Sequence, residues 1–215
     1  MRKTTLAFLI TTLLALASPA QAITLSLEPA SSTVNPGNSV ALDLTVSGLG
    51  DHTAPSLGAF DVDIGYDPAK LNFTGYALGT LLGDVSLGEA FDTSTGDSTP
   101  PGLIDLAELS LLEPDSINCF FCTGPYLDDI QPSSFVLATL DFIVTGGLAP
   151  GQSTQVDIAV QALGDGFGNS LTADTLNPSV LRRPAAPPPP SGVPEPATLM
   201  LLGIGMAWLR RFSHA

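Results

Sequence analysis

The side chains of this sequence that could carry chemistry are mostly carboxylates. Residues 23–180 contain 20 acidic residues and one basic residue, Lys70. A glycosidase needs two carboxylates at a set distance across a cleft, and the sequence does not exclude such a pair. A Ser-His-Asp or Cys-His catalytic set is not expected, because His52 is the only histidine of this region and stands in a turn-like segment.

Asp165 and Asn169 are the candidate ligands for a metal. Glycines separate their oxygen atoms in the segment 165–169, and calcium prefers clusters of oxygen ligands. The segment lacks the length and the final Glu of an EF-hand loop, so a turn between two strands is the competing interpretation. No cofactor other than calcium is expected. Two acidic pairs offer further oxygen donors, although paired surface acids are usually just solvated: Asp61 with Asp63, and Asp128 with Asp129.

The two cysteines, Cys119 and Cys122, have C-x-x-C spacing. In an oxidising compartment a local disulfide is the default, while free thiols and a redox or zinc role remain open. Three aromatic residues lie in the same segment: Phe120 and Phe121 stand between the cysteines, and Tyr126 follows them. They are candidates for stacking on sugar rings, and core packing or loop anchoring is the alternative.

The excess of negative charge limits the classes of partner. An acidic surface repels the phosphates of nucleic acids and the head groups of anionic lipids, so neither is expected as a partner. Divalent cations and neutral sugars stay compatible with it. The acidity also has a simpler explanation, which is that net charge keeps an exported protein soluble.

Residues 1–22 have the three-part order of a secretory signal peptide. Arg2 and Lys3 are followed by an apolar run, and Ala20 and Ala22 then frame an A-x-A cleavage site. We expect this segment to form the signal helix and to be removed on export.

Alternating apolar and polar residues in 23–182 predict strands. Val40, Leu42, Leu44 and Val46 alternate with polar or small residues in Ser39–Ser47, a pattern of half-buried strands. Leu103–Leu112 predicts another strand, followed by a long excursion through the cysteines, although Leu109, Leu111 and Leu112 also fit one short helical turn. Turns rich in Gly, Pro and Asn separate the runs, so an all-β, two-sheet sandwich is expected. Similar alternation marks the segment 59–66 and the surroundings of Leu25, Leu71, Phe142 and Ile158.

The composition of the chain changes at its C-terminal end. Residues 183–192 form a proline-rich linker, and residues 193–215 begin with Val193-Pro194-Glu195-Pro196. An apolar run of 13 residues follows and ends at Arg210 and Arg211. The run is shorter than the about 20 residues of a typical membrane-spanning helix, and the arginines favour the cytoplasmic side.

Together, the motif, the apolar helix and the basic cluster resemble the PEP-CTERM sorting domain of Gram-negative envelope proteins. The resemblance implies processing by an exosortase, transient attachment to the inner membrane through the tail, and association with exopolysaccharide and biofilm matrix. The residues that match are Pro194, Glu195 and Pro196, with the basic cluster at Arg210 and Arg211.

Residues 58–71 resemble a cohesin-type sandwich, in which a strand ends in Tyr-Asp-Pro before the next begins with Leu. Here these are Tyr66, Asp67, Pro68 and Leu71. The resemblance extends over most of 23–182 and implies a jelly roll of about nine strands related to carbohydrate-binding modules. In cellulosomal proteins, domains of this type bind a dockerin.

The sequence therefore predicts an exported, non-catalytic binding or adhesion module of the cell envelope or extracellular matrix, with a polysaccharide or a matrix protein as ligand. Two alternatives remain. One is a purely structural component of a biofilm, and the other is a glycan-active hydrolase.

Overall fold

The computed structural model describes residues 22–176 and 178–188, without the side chain of Gln161. The predicted signal helix and C-terminal apolar helix lie outside this part of the chain. The chain divides into two units, Met1–Pro184 and Ala185–Ala215. In the described part no helix combines the length and the apolar character that crossing a membrane requires.

Two β-sheets enclose one apolar core. The strands are β1 (Ile23–Glu28), β2 (Ser31–Thr33), β3 (Ser39–Ser47), β4 (Leu57–Tyr66), β5 (Leu71–Leu78), β6 (Ala90–Asp92), β7 (Gly96–Asp97), β8 (Leu103–Ser110), β9 (Ser134–Val144), β10 (Ser153–Asp165), β11 (Ser170–Leu171), β12 (Ala173–Thr175) and β13 (Ser179–Arg182). Sheet A has the order β12-β1-β3-β9-β5, and sheet B has the order β2-β13-β10-β4-β8-β6, with β11 beside β10 and β7 beside β8.

The structure confirms the half-buried strand that alternation predicts at Ser39–Ser47, which is β3. Val40, Leu42, Leu44 and Val46 are buried, and the residues between them face outward. Because successive side chains point to opposite faces of a strand, one apolar residue in two is enough to bury one face. The all-β sandwich is therefore confirmed, and β3 has the predicted bounds.

Phe142 of β9 lies at the centre of the core. Its ring meets Tyr66 of sheet B edge-on at 5.4 Å between centroids, and Phe73 of β5 at 5.6 Å. Burial of an aromatic or aliphatic side chain of this size contributes about 1.5–3 kcal/mol. The contacts join both sheets through one side chain.

The structure has more strands than the expected number of about nine. The surplus comes from strands of two or three residues, namely β2, β6, β7, β11 and β12. Alternation needs at least four residues to be visible, so strands this short leave no periodic signal in the sequence.

The strand predicted at Leu103 is present as β8. The excursion after it is present as well and comprises residues 111–133. β8 ends at Ser110, and the chain returns to β9 through a single helical turn, α1 (Leu127–Ile130). Buried Gln131 ties the end of the excursion to the sandwich. Its Nε2 donates to the carbonyl oxygens of Leu57 and Leu81, and its Oε1 accepts from the Leu57 N–H.

Candidate binding face

The outer face of sheet B has a shallow depression lined by small residues. Outward-facing positions of β4, β8 and β10 at this place hold Ala59, Ala107, Ala162 and Gly164. Because these side chains are short, they leave a cavity of about 410 Å³ against the sheet. Leu112 and Leu127 of the excursion form one wall, and the turn after β10 forms another.

Apolar side chains lie exposed beside the depression. Phe91 of β6 and Leu109 of β8 are directly paired across the strands, and Ala59 is the partner of Leu109 on the other side. Leu109 is 48% exposed, and Phe91 is exposed as well. A contiguous apolar patch on a water-facing sheet is typical of an interaction surface.

The other part of the same face is acidic. Asp63 and Asp105 are opposite each other on β4 and β8, and Asp61 lies one outward position away. Burial raises the pKa of Asp61, and the charges of Asp105 and Asp63 raise this pKa further. The face therefore combines an apolar patch with a dense negative field, which favours a partner that presents basic groups.

Glu108 lies on the inner side of β8, and it is not among the candidate residues predicted from the sequence. It is 2% exposed, and neither of its carboxylate oxygens has a hydrogen-bond partner within the described residues. Burial, and then the charge of Asp92, raises its pKa to about 7. A signal was present in the sequence, because Glu108 has the same parity as the buried residues Ile104 and Leu106.

The burial of Glu108 argues against a role for this residue as the acid of a glycosidase. A glycosidase acid needs a raised pKa, and also contact with the scissile oxygen. Both Glu108 oxygens are shielded from solvent, so the raised pKa is a consequence of burial in the sandwich. His52 does not complete a catalytic set either, since its Nδ1 lies 2.6 Å from the backbone oxygen of Asp129.

The predicted ligand residues Phe120 and Phe121 are in the excursion. The structure joins Cys119 and Cys122 in a disulfide around them. Both phenylalanine rings are exposed and meet each other edge-on at 4.7 Å, while Tyr126 is half-buried at the start of α1. The alternative of core packing therefore does not describe the two phenylalanines.

The candidate calcium ligands Asp165 and Asn169 occupy a turn between β10 and β11. The Asp165 carboxylate accepts hydrogen bonds from the N–H groups of Phe167 and Asn169 and from the Asn169 amide. Burial raises the pKa of Asp165, but the hydrogen bonds together outweigh it and lower this pKa below its ordinary value. In residues 22–176 and 178–188 no group of three His, Cys, Asp or Glu side chains is placed to hold a metal.

The predicted signal peptide and C-terminal sorting motif lie mostly outside the described residues. Ala22 directly precedes β1, and Ala20 lies outside. The sorting residues Val193, Pro194, Glu195, Pro196, Arg210 and Arg211 also lie outside the described part.

Comparison with solved structures finds cohesins. The sixth cohesin of Acetivibrio cellulolyticus scaffoldin B, solved with a Cel5 dockerin mutant, is 18% identical with a TM-score of 0.56, over 75% of this chain and 99% of that one. The OlpC cohesin of Clostridium thermocellum, solved with Doc435, is 11% identical with a TM-score of 0.57, over 79% and 99%. A non-cellulosomal cohesin of Archaeoglobus fulgidus is 15% identical with a TM-score of 0.51, over 75% and 91%.

At these identities the likeness shows the fold. Comparison with curated protein sequences finds no significant match. Family models identify a cohesin domain at residues 24–180 and a PEP-CTERM protein-sorting motif at residues 192–211. The sorting motif is typical of exported proteins with a membrane-anchoring tail, and the match to the first model covers most of the sequence. The chain therefore belongs to the cohesin family of protein-binding domains.

Proposed function

We propose that this chain is a non-catalytic docking module of the cell envelope or extracellular matrix, and that the outer face of sheet B binds a protein. The observation that carries the proposal is the contiguous surface of Phe91, Leu109 and the depression at Ala59, next to the acidic group around Asp61.

The composition of this face favours a protein over a polysaccharide. Sugar rings are usually held by flat aromatic platforms together with hydrogen-bonding side chains. Here the exposed apolar groups include the branched side chain of Leu109, and the small residues form a shallow depression. An apolar ridge flanked by Lys or Arg on a partner protein would fill the depression and meet Asp61, Asp63 and Asp105.

The two ends of the chain supply the location. The signal peptide would bring the chain across the inner membrane, and the sorting motif at 192–211 would present it to an exosortase. The proline-rich segment 183–192 would hold the domain away from the tail as an extended spacer. We therefore place the mature protein in the envelope or the extracellular matrix, with exosortase as its processing partner.

The binding face can be tested with a photo-crosslinking amino acid at position 109 in the full chain, expressed in the organism that makes it. The matched control carries the same amino acid at position 143, because Ile143 is 40% exposed on the outer face of sheet A. We expect a crosslinked protein from position 109 and none from position 143. Equal crosslinking from both positions, or crosslinking to polysaccharide, would contradict the proposal.

The sorting step has an independent readout. Mass spectrometry of the mature protein should find a C-terminus near Pro196 and an N-terminus at Ile23. An intact tail in the mature protein would refute exosortase processing and leave the binding face untouched.

A further inference from the structure

The excursion between β8 and β9 has the most exposed large apolar side chains of the described chain. Ile117 is 87% exposed, Phe120 84% and Phe121 74%. Single exposed apolar residues are ordinary on protein surfaces. Three of them within five residues, at and next to the Cys119–Cys122 disulfide, form a concentrated apolar tip that water solvates poorly.

The tip is held in one shape by bonds inside the loop. The disulfide joins Cys119 to Cys122 around the two phenylalanines. One Glu113 carboxylate oxygen accepts from the N–H groups of both Phe120 and Phe121, each at 2.9 Å. Asp115 accepts from the N–H groups of Ile117 and Asn118, the two residues before Cys119, each at 2.6 Å.

The base of the loop is also fixed to the sandwich. The Leu127 N–H donates to the Glu113 carbonyl, and the Leu127 side chain is buried against the turn at Gly166. A rigid loop loses little conformational entropy when it binds, because its side chains are already presented in place. Within the described chain, the contact between Phe120 and Phe121 leaves both rings largely exposed to solvent. The bonds therefore stabilise an apolar surface that the fold does not use for its own core.

The negative charge around the tip limits the kinds of surface that the tip can bind. The residues that support it are acidic, since Glu113 and Asp115 lie within the loop and Asp128 and Asp129 in α1. An anionic bilayer would repel this group, and a second copy of an equally acidic chain would repel it as well. A pocket with apolar walls and a basic rim on another protein matches both the rings and the carboxylates.

The tip is close to the binding face of sheet B. Leu112 lines the depression on that face, and the next residue, Glu113, holds the backbone of Phe120 and Phe121. A protein that covers the depression would therefore meet the apolar tip at its edge.

We propose that the loop 113–126, which has the Cys119–Cys122 disulfide at its tip, is a second docking element, whose apolar tip inserts into a basic-rimmed apolar pocket of the same protein partner. This inference rests on the proposed function, since it takes the partner of the sheet B face to be a protein. Phe120 and Phe121 act as the inserted anchors, and the carboxylates of Glu113 and Asp115 orient them.

Affinity measurements provide the test. The probe is the protein crosslinked through position 109, purified and titrated with the full chain. We expect the double substitution Phe120→Ser/Phe121→Ser to weaken binding about tenfold or more, as for buried aromatic anchors, with an unchanged thermal unfolding midpoint. The matched control is Leu87→Ser, since Leu87 is 72% exposed in the turn Val85–Leu87. It should bind as the wild type does.

The disulfide has its own readout. Cys119→Ser/Cys122→Ser should weaken binding severalfold while the rings remain, because the loop then loses conformational entropy on binding. Unchanged affinity in the Phe120→Ser/Phe121→Ser variant would overturn this inference and leave the sheet B face as the binding site. A crosslink from position 120 to lipid, or to a second copy of the chain, would also overturn it. The absence of a partner at position 109 would refute the proposed function itself.

Discussion

The two sheets differ in how closely they follow the rule of apolar inside and polar outside. The strands of sheet A face the core with apolar side chains, and their outer faces are mostly Ser, Thr and Asp. Val136 and Ile143, the exposed apolar residues of β9, are separated by Thr139 and Asp141. Sheet A therefore has the pattern expected of a sheet that serves stability.

Sheet B departs from this rule on both sides. In the described chain, the buried polar side chains that lie on strands all belong to it, namely Glu108, Thr154 and Ser179. Its outer face carries the apolar pair of Phe91 and Leu109. Natural proteins accept such departures mainly at functional sites, where they cost stability. The contrast supports the proposal that sheet B binds a partner while sheet A supports the fold.

The largest expected effect concerns Glu108 on the inner side of sheet B. Its pKa rises from 4.5 to about 7 in the folded protein, so the folded state holds this proton more tightly than the unfolded state does. Unfolding then releases a proton, and the free energy of unfolding should fall by up to about 3 kcal/mol as pH rises from 4.5 through 7. Glu108→Gln should remove this component in urea unfolding at pH 5 and pH 8.

Glu28→Gln is the matched control for this titration, because Glu28 is an exposed acid at the end of β1. It should leave the pH dependence between 5 and 8 unchanged. A wild-type protein equally stable at both values would show that Glu108 is solvated and that the inner side of sheet B is as regular as that of sheet A.

The next effect concerns the connection that borders the binding face. Gln131→Ala removes three hydrogen bonds, two of them buried, and leaves the N–H of Leu57 without its acceptor. We expect the free energy of unfolding to fall by about 2–3 kcal/mol, the cost of leaving buried polar groups unsatisfied. Hydrogen exchange should quicken at Leu57. Gln155→Ala, at an exposed position of β10, should change neither quantity.

A smaller effect compares the two outer faces directly. Leu109→Arg should weaken the affinity for the crosslinked partner about tenfold, or about 1.4 kcal/mol, because a cation replaces an apolar contact. Ile143→Arg makes the same change on sheet A at a similar exposure. It should bind as the wild type does. Equal losses for the two variants would remove the functional distinction between the sheets.

The smallest effect is expected on the outer face of sheet A. The Thr139 hydroxyl donates to Asp43 at 2.6 Å on this half-buried surface. Thr139→Val should lower the free energy of unfolding by less than about 1 kcal/mol, since a solvent-accessible hydrogen bond has a small net value. Partner affinity should not change. A measurable loss of binding would show that sheet A also takes part in docking.

The sequence supplied most of the fold and only part of the candidate site. Alternation around Val40 and Phe142 identified the long strands, whereas short strands such as β6 had no signal. Phe120 and Phe121 could be named as ligand candidates because aromatic residues beside cysteines stand out. Leu109 and Phe91 could not, because a single apolar residue in a strand is ordinarily a core residue.

By itself, the sequence determined that residues 23–182 form β-sheets, because alternation and turn residues are local properties. Alternation groups Glu108 with Ile104 and Leu106, but only the tertiary structure decided which sheet each strand joins and which face of β8 faces the core. The physical reason is that a period of two separates one face of a strand from the other. Which face of β8 is covered depends on where sheet A packs, and its strands β1 and β3 lie far from β8 along the chain.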